Sequence, residues 1–203
     1  ELYISVSIGS LAVKTDDPDG RFANRSFLIN PSGHIVGQYD KIHMFDVQIS
    51  ETETYRESAG YRPGDRAVVA DTALGKIGMA ICYDMRFPLL ANALAVAGAQ
   101  ILLYPSAFSP VTGAAHWHSL LRARAIETGC YVIAAAQTGT HPTTGSKARS
   151  TYGHSLVVDP WGKVVLDAGV DAGVYAFDIE MDNVAKARQK VPSLLNARSF
   201  LAP

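Results

Sequence analysis

The residues best suited to chemistry lie in the run Gly75-Lys76-Ile77-Gly78-Met79-Ala80-Ile81-Cys82-Tyr83-Asp84-Met85-Arg86-Phe87-Pro88. Ile77, Met79 and Ile81 alternate with the small residues Gly78 and Ala80, the pattern of a strand buried on both faces that ends at Cys82. Pro88 suits the first turn of a helix, where its missing N–H costs nothing. A thiol at a strand exit, just before a helix, is held rigidly and faces the positive end of the helix dipole. Both features favour a reactive thiolate. The competing reading of Cys82 is a small buried hydrophobe, a common state of free cysteine. This stretch alone leaves both open.

The rest of the chain must position such a thiol. With 203 residues, 48% hydrophobic and 18% charged, it reads as one domain spanning 1–203 with a substantial core. A formal net charge of -1 offers no footprint for nucleic acid or an anionic membrane. The two cysteines, Cys82 and Cys130, have no metal spacing and fit a reducing compartment. Glu1 leads straight into a strand pattern, so no signal peptide and a cytoplasmic location are expected. Residues 87–104 carry no charge, but Pro88, Asn92, Gly98 and Gln100 divide them into a helix (88–97) and a strand (100–104) rather than a membrane span.

Alternation predicts strands at 2–8, 21–29 and 34–39, the latter two joined by the hairpin signal Asn30-Pro31-Ser32-Gly33. Residues 42–64 read as a long irregular loop, of a length that usually serves function. Further strands are expected at 67–71, 131–136, 152–158, 163–166 and 174–179, a polar loop at 137–149, and helices at 116–128 and 181–190. Hairpins mixed with strand–helix–strand units point to an α/β layered sandwich.

Several motifs resemble the nitrilase superfamily of carbon–nitrogen hydrolases. They are Tyr39-Asp40-Lys41-Ile42-His43-Met44-Phe45-Asp46, Tyr55-Arg56-Glu57-Ser58 and Ala80-Ile81-Cys82-Tyr83-Asp84-Met85-Arg86-Phe87-Pro88. His116-Trp117, Leu121-Arg122-Ala123-Arg124-Ala125-Ile126-Glu127, Tyr152-Gly153-His154-Ser155 and Asp159-Pro160-Trp161-Gly162 agree with them. The nearest branch is that of the omega-amidases and deaminated-glutathione amidases. The resemblance implies an α-β-β-α sandwich and hydrolysis of a small ω-amide to acid and ammonia through a Cys82 thioester. It also implies no cofactor and self-association into a homodimer or larger homo-oligomer, to which the helix face around Trp117 and Leu121 is a candidate contributor, though core packing explains that face as well.

It further implies roles for individual residues. Cys82 is the nucleophile, Lys41 and the Tyr83 backbone N–H hold the oxyanion, and Glu57 orients Lys41 or helps move protons. Taken singly, Lys41 is a solvated strand-end lysine and Glu57 a loop carboxylate; their joint place in the motifs makes them site residues. Arg86 has two readings: a clamp on a substrate carboxylate, or a salt bridge to Asp84. Glu127 stays outside the site. His116 and His118, two apart on a helix, point to different faces, so no metal is expected. The family carries glutamate where His118 stands. His34, His43, His141 and His154 read as structural histidines.

One departure matters. The family's general-base glutamate lies upstream of the first strand, and Glu1 does not replace it. The sandwich is therefore expected to lack its N-terminal segment, with one sheet edge and some apolar surface bare. The chain then reads as an amidase needing that segment, or as a catalytically impaired relative that binds or scaffolds. Glu51, Glu53 and Glu57 are the substitutes to consider for the base.

Overall fold

The computed structural model describes residues 3–16, 18–51, 53–142 and 148–201. Glu1 lies outside them. Two sheets face each other. The first holds β1 (Val6–Val13), β2 (Phe22–Ile29) and β3 (Ile35–Asp40), each antiparallel to the next. The turn between β2 and β3 closes as its Asn30 and Gly33 predict: Gly33 N–H donates to Asn30 O at 2.9 Å, and Gly33 takes φ +80.

The expected loop at 42–64 has structure of its own. It contains a small hairpin, β4 (Asp46–Gln48) with β5 (Thr54–Arg56), a tight turn at Glu57–Ala59, and β6 (Tyr61–Arg62), which pairs with β2. These elements are too short to leave a period in the sequence.

The second sheet has six strands. In chain order they are β7 (Val68–Thr72), β8 (Gly75–Met79), β9 (Ile101–Leu103), β10 (Tyr131–Ala134), β13 (Leu156–Val158) and β14 (Val164–Asp167). A separate hairpin, β11 (Thr138–His141) with β12 (Arg149–Tyr152), follows β10. Part of the polar loop expected at 137–149 is therefore strand; residues 143–147 lie outside the described ones. β8, β9 and β10 run parallel. The sheets touch where β3 crosses β7 and β8: a Cβ on Gly37 would come within 2.8 Å of Met79 Sδ and 3.1 Å of Ala70 Cβ.

Helices α1 (Pro88–Val96) and α2 (Pro110–Thr128) cover the other face of the six-stranded sheet. Trp117, Leu121, Leu94 and Leu102 are fully buried there, each worth about 1.5–3 kcal/mol of burial. This corrects the reading of Trp117 and Leu121 as a subunit contact: that face is core. α2 begins six residues earlier than expected, with Pro110 in its first turn, because Gly113 and its small neighbours hide the helical period. It ends at Gly129, φ +61, as expected. Helices α3 (Asp182–Lys190) and α4 (Ser193–Asn196) sit on the same side. The layering among the described residues is thus helix, sheet, sheet, and Val6, Leu11, Phe22, Ile35 and Val36 remain exposed on the first sheet.

Two other expectations change. Residues 174–179 form no strand, and Val174 and Tyr175 are exposed: β-branched and aromatic residues favour a strand, but a partner decides it. Tyr152 closes β12 rather than opening the next strand, since Gly153 (φ +76) and His154 (φ +55) turn the chain between them. No helix among the described residues is long and apolar enough to cross a membrane.

Candidate active site

The parallel strands β8, β9 and β10 end side by side, and a cavity of about 420 Å³ opens beyond their C-terminal ends, where such sheets commonly receive ligands. The segments leaving all three strands contribute to its lining, among them Cys82 after β8, Ser106 after β9 and Gln137 after β10. The strand expected to run to Cys82 ends at Met79, yet the pairing continues. Ala80 N–H donates to Leu103 O at 3.1 Å, and Cys82 N–H to Pro105 O at 3.0 Å.

Cys82 opens a tight turn, Cys82–Arg86, with φ +48, a left-handed conformation that costs a side-chain-bearing residue roughly 1–2 kcal/mol. The buried Asp84 holds this turn in place. Its carboxylate accepts from Ile81 N–H at 2.9 Å, Tyr39 Oη at 2.7 Å and His43 N–H at 3.1 Å, and meets His43 Nδ1 at 2.7 Å. Buried Arg124 on α2 donates to Met85 O at 2.7 Å and pairs with Glu127, so Glu127 supports the turn from outside the cavity. Asp84 N–H bonds Ile81 O, and Cys82 N–H is taken by Pro105 O. Tyr83 N–H lies between them as the second donor of the turn, a position without an acceptor inside the turn.

Lys41 follows β3, its backbone N–H held by Asn24 O at 2.9 Å. Its side chain is only 3% exposed, and its ammonium pairs with Glu57. Glu57 also accepts from Asn24 Nδ2 at 2.9 Å and from Phe45 N–H at 2.6 Å. The carboxylate is thus fully committed to orienting Lys41. Cys82, Lys41, Glu57 and Tyr83 all line the one cavity. Glu57 is the only carboxylate lining it among the described residues. Glu51 is exposed, and Glu53 accepts from Tyr55 Oη at 3.0 Å and Ser109 Oγ at 3.1 Å.

The electrostatics differ from the thiolate expected beside a helix terminus. Burial pushes the Cys82 thiol up, against the Lys41 charge and the hydrogen bonds from Ala107 N–H and Ser106. The helix that begins at Pro88 is separated from Cys82 by the intervening turn. Cys130 is also raised, chiefly by burial. The structure brings a cation to it that lies far away in sequence, Arg188, with Nη2 3.2 Å from Sγ, but Cys130 is fully buried.

Arg86 does not line the cavity itself but lies against two residues that do, Tyr83 and Phe108. It stacks over the rings of Tyr83 and Phe108, 5.9 Å and 5.4 Å from their centroids, and its Nη2 meets His116 Nδ1 at 3.2 Å. The alternative salt bridge to Asp84 is not formed; Asp84 is taken by Tyr39 and His43. The arginines lining the cavity are Arg56 and Arg149. Sequence reasoning missed both, along with Asn24 and Ser106. Arg56 stood inside a quoted motif; the others carry no local signal.

The carbon–nitrogen hydrolase family profile matches residues 1–189. The chain belongs to this family. It is 42% identical over 201 residues to the deaminated glutathione amidase of Yersinia enterocolitica, covering 98% of this chain and 69% of that protein. Across four such relatives the chain spans 61–69% of their length. Among solved structures it resembles the NitFhit protein of C. elegans, with TM-score 0.84 and 40% identity over 97% of this chain and 47% of that one. A variant of the amidase from Nesterenkonia sp. AN1, with acrylamide added at its active-site cysteine, matches with TM-score 0.71 and 26% identity, over 94% of this chain and 68% of that one. These neighbours agree with the α/β nitrilase-like sandwich.

Proposed function

We propose that this chain carries the nucleophile and oxyanion site of an amidase acting on a small ω-amide that bears a carboxylate. The observation behind this reading is the convergence of Cys82, Lys41 and Tyr83 on one cavity, with Glu57 paired to Lys41. Cys82 Sγ attacks the amide carbon and gives its proton to a base. Lys41 and Tyr83 N–H hold the negative oxygen. The intermediate collapses as the base passes that proton to the nitrogen, which leaves as ammonia, and a thioester remains. Water, deprotonated by the same base, releases the acid and regenerates the thiol. The raised Cys82 thiol makes that base indispensable, and Glu57 is engaged elsewhere. The acrylamide adduct of the Nesterenkonia neighbour and the deaminated glutathione amidase relatives support the cysteine chemistry and the substrate class. The pairing of Glu57, the one carboxylate lining the cavity among the described residues, with Lys41 also favours a second reading, a relative that binds amides without turning them over.

Intact-mass and peptide analysis after brief iodoacetamide treatment tests the nucleophile. Cys82 should be labelled first, because Cys130 is sealed in the core. Since a raised pKa leaves fewer thiolates at any given pH, labelling should be slow at neutral pH and climb only above the ordinary thiol range. Lys41→Ala removes the opposing charge, so its climb should come at still higher pH. Preferential labelling of Cys130 overturns the assignment.

Carboxylate recognition falls to Arg149, which lines the cavity, rather than Arg86, which does not. In an active form, Arg149→Ala should raise KM about tenfold or more for amides bearing a carboxylate, the loss of a charged hydrogen bond, and spare simple aliphatic amides. Arg86→Ala should affect both classes alike. The reverse pattern returns the role to Arg86.

A further inference from the structure

A second group of chemically capable side chains lies away from the cavity. His118 stands on α2, His154 on the turn between β12 and β13, and Asp167 at the end of β14. None of them lines the catalytic cavity. His118 Nε2 is 2.8 Å from Asp167 Oδ2, and His154 Nδ1 is 2.9 Å from Oδ1 and 3.2 Å from Oδ2. One nitrogen from each imidazole and one carboxylate oxygen all lie within 4.8 Å of one another. The two rings meet at 72°, with centroids 5.6 Å apart, so the nitrogens approach from different directions.

We propose that His118, His154 and Asp167 form a binding site for a divalent transition-metal ion of the zinc type, separate from the catalytic cavity. Two imidazoles and one carboxylate are donors that zinc, cobalt and nickel accept, whereas magnesium and calcium take oxygen ligands. Three protein ligands leave a fourth position for water. The side chains are 36%, 25% and 32% exposed in chain order, enough for an ion and its water to enter. Tetrahedral zinc bonds of ~2.0–2.1 Å set donor atoms about 3.3 Å apart. The present His–Asp contacts reach that by opening a few tenths of an ångström.

The surroundings hold the donors in place. His154 N–H donates to Gly169 O at 2.6 Å, its carbonyl accepts from Trp117 Nε1 at 2.8 Å, and its ring stacks on Tyr152 at 4.5 Å. Asp167 Oδ1 accepts from Gly169 N–H at 2.9 Å. Burial works to raise the Asp167 pKa, but Gly169 N–H and the two imidazoles outweigh it and hold the carboxyl below its usual range. It is therefore a carboxylate at neutral pH. Without an ion each facing nitrogen carries the proton it donates to Asp167; an incoming cation takes the place of that proton, which leaves or moves to the other ring nitrogen and frees the facing lone pair. Sequence reasoning discarded metal because His116 and His118 diverge on their helix. They do diverge, and the partners of His118 come from other elements.

The test uses the untagged 203-residue chain carrying Cys82→Ala, so that zinc held by the cavity thiol is not counted. The protein is equilibrated with zinc chloride, dialysed against metal-free buffer and analysed for metal by plasma mass spectrometry. Cobalt titration is followed through the visible bands of the four-coordinate ion. One zinc per chain should be retained, and zinc should raise Tm. Adding His118→Ala or Asp167→Asn should weaken binding more than about tenfold, the scale for losing even an outer-sphere partner, and abolish the Tm rise. Both positions are surface-facing, so metal-free Tm should stay close to that of the Cys82→Ala chain and show that folding is intact. No retained zinc, or retention indifferent to both substitutions, overturns the site and leaves a hydrogen-bonded His–Asp–His group.

Discussion

Lys41→Ala should lower kcat by about 10²–10³-fold in an active amidase built around this chain. It should also destabilise the fold by about 3–5 kcal/mol, the cost of leaving one member of a buried ion pair alone. Both effects have the same origin. The Lys41 side chain is 3% exposed and that of Glu57 14%, so removing the ammonium strands a carboxylate supported only by Asn24 and Phe45 N–H. The two effects are separable. Adding Glu57→Gln to Lys41→Ala removes the stranded charge and should recover much of the stability, as read by urea unfolding. Ammonia release should stay low, because the oxyanion has still lost its cation. Near-normal kcat in Lys41→Ala would show that another group stabilises the oxyanion. Recovery of kcat in the double variant would make Lys41 merely structural.

The 203-residue chain alone should release ammonia from ω-amides far below the ~1 s⁻¹ typical of enzymes. Its cavity presents a thiol raised by burial, and the one carboxylate lining it among the described residues is tied to Lys41. Without a free proton acceptor, attack by Cys82 and activation of water both slow, and each such loss is worth about 10²–10⁴-fold. Fusing or co-expressing the N-terminal region of a deaminated glutathione amidase relative should restore turnover, while Cys82→Ala in the same fusion should abolish it. Enzyme-like rates from the chain by itself would mean that a residue already present is the base. Glu53, which accepts hydrogen bonds from the cavity-lining Tyr55 and Ser109, would then be the first to replace. Silence from the fusion would favour the binding reading.

Much of this molecule is written locally. The alternation around Ile77, the turn at Asn30-Pro31-Ser32-Gly33, Pro88 at its helix start and Gly129 at its helix end are short-range signals, and the structure follows each. The motifs around Lys41, Glu57 and Cys82 were legible through their joint resemblance to the nitrilase superfamily; taken singly, Lys41 and Glu57 carry no such signal. Three things depended on distant parts of the chain. The state of the Cys82 thiol follows from how deeply the sheet and the loop after β9 enclose it, and desolvation has no sequence signature. The place of Arg86 against Tyr83, Phe108 and His116, rather than on Asp84, follows from packing between elements far apart in the chain. The meeting of His118, His154 and Asp167 follows from the register of a helix against two hairpins. Sequence alone determined most of the longer elements and the reactive residue types, because those rest on contacts a few residues apart; the short hairpins and the unpaired run at 174–179 were decided by partners. Tertiary structure decided which charges face which groups, because that depends on packing between elements far apart in the chain.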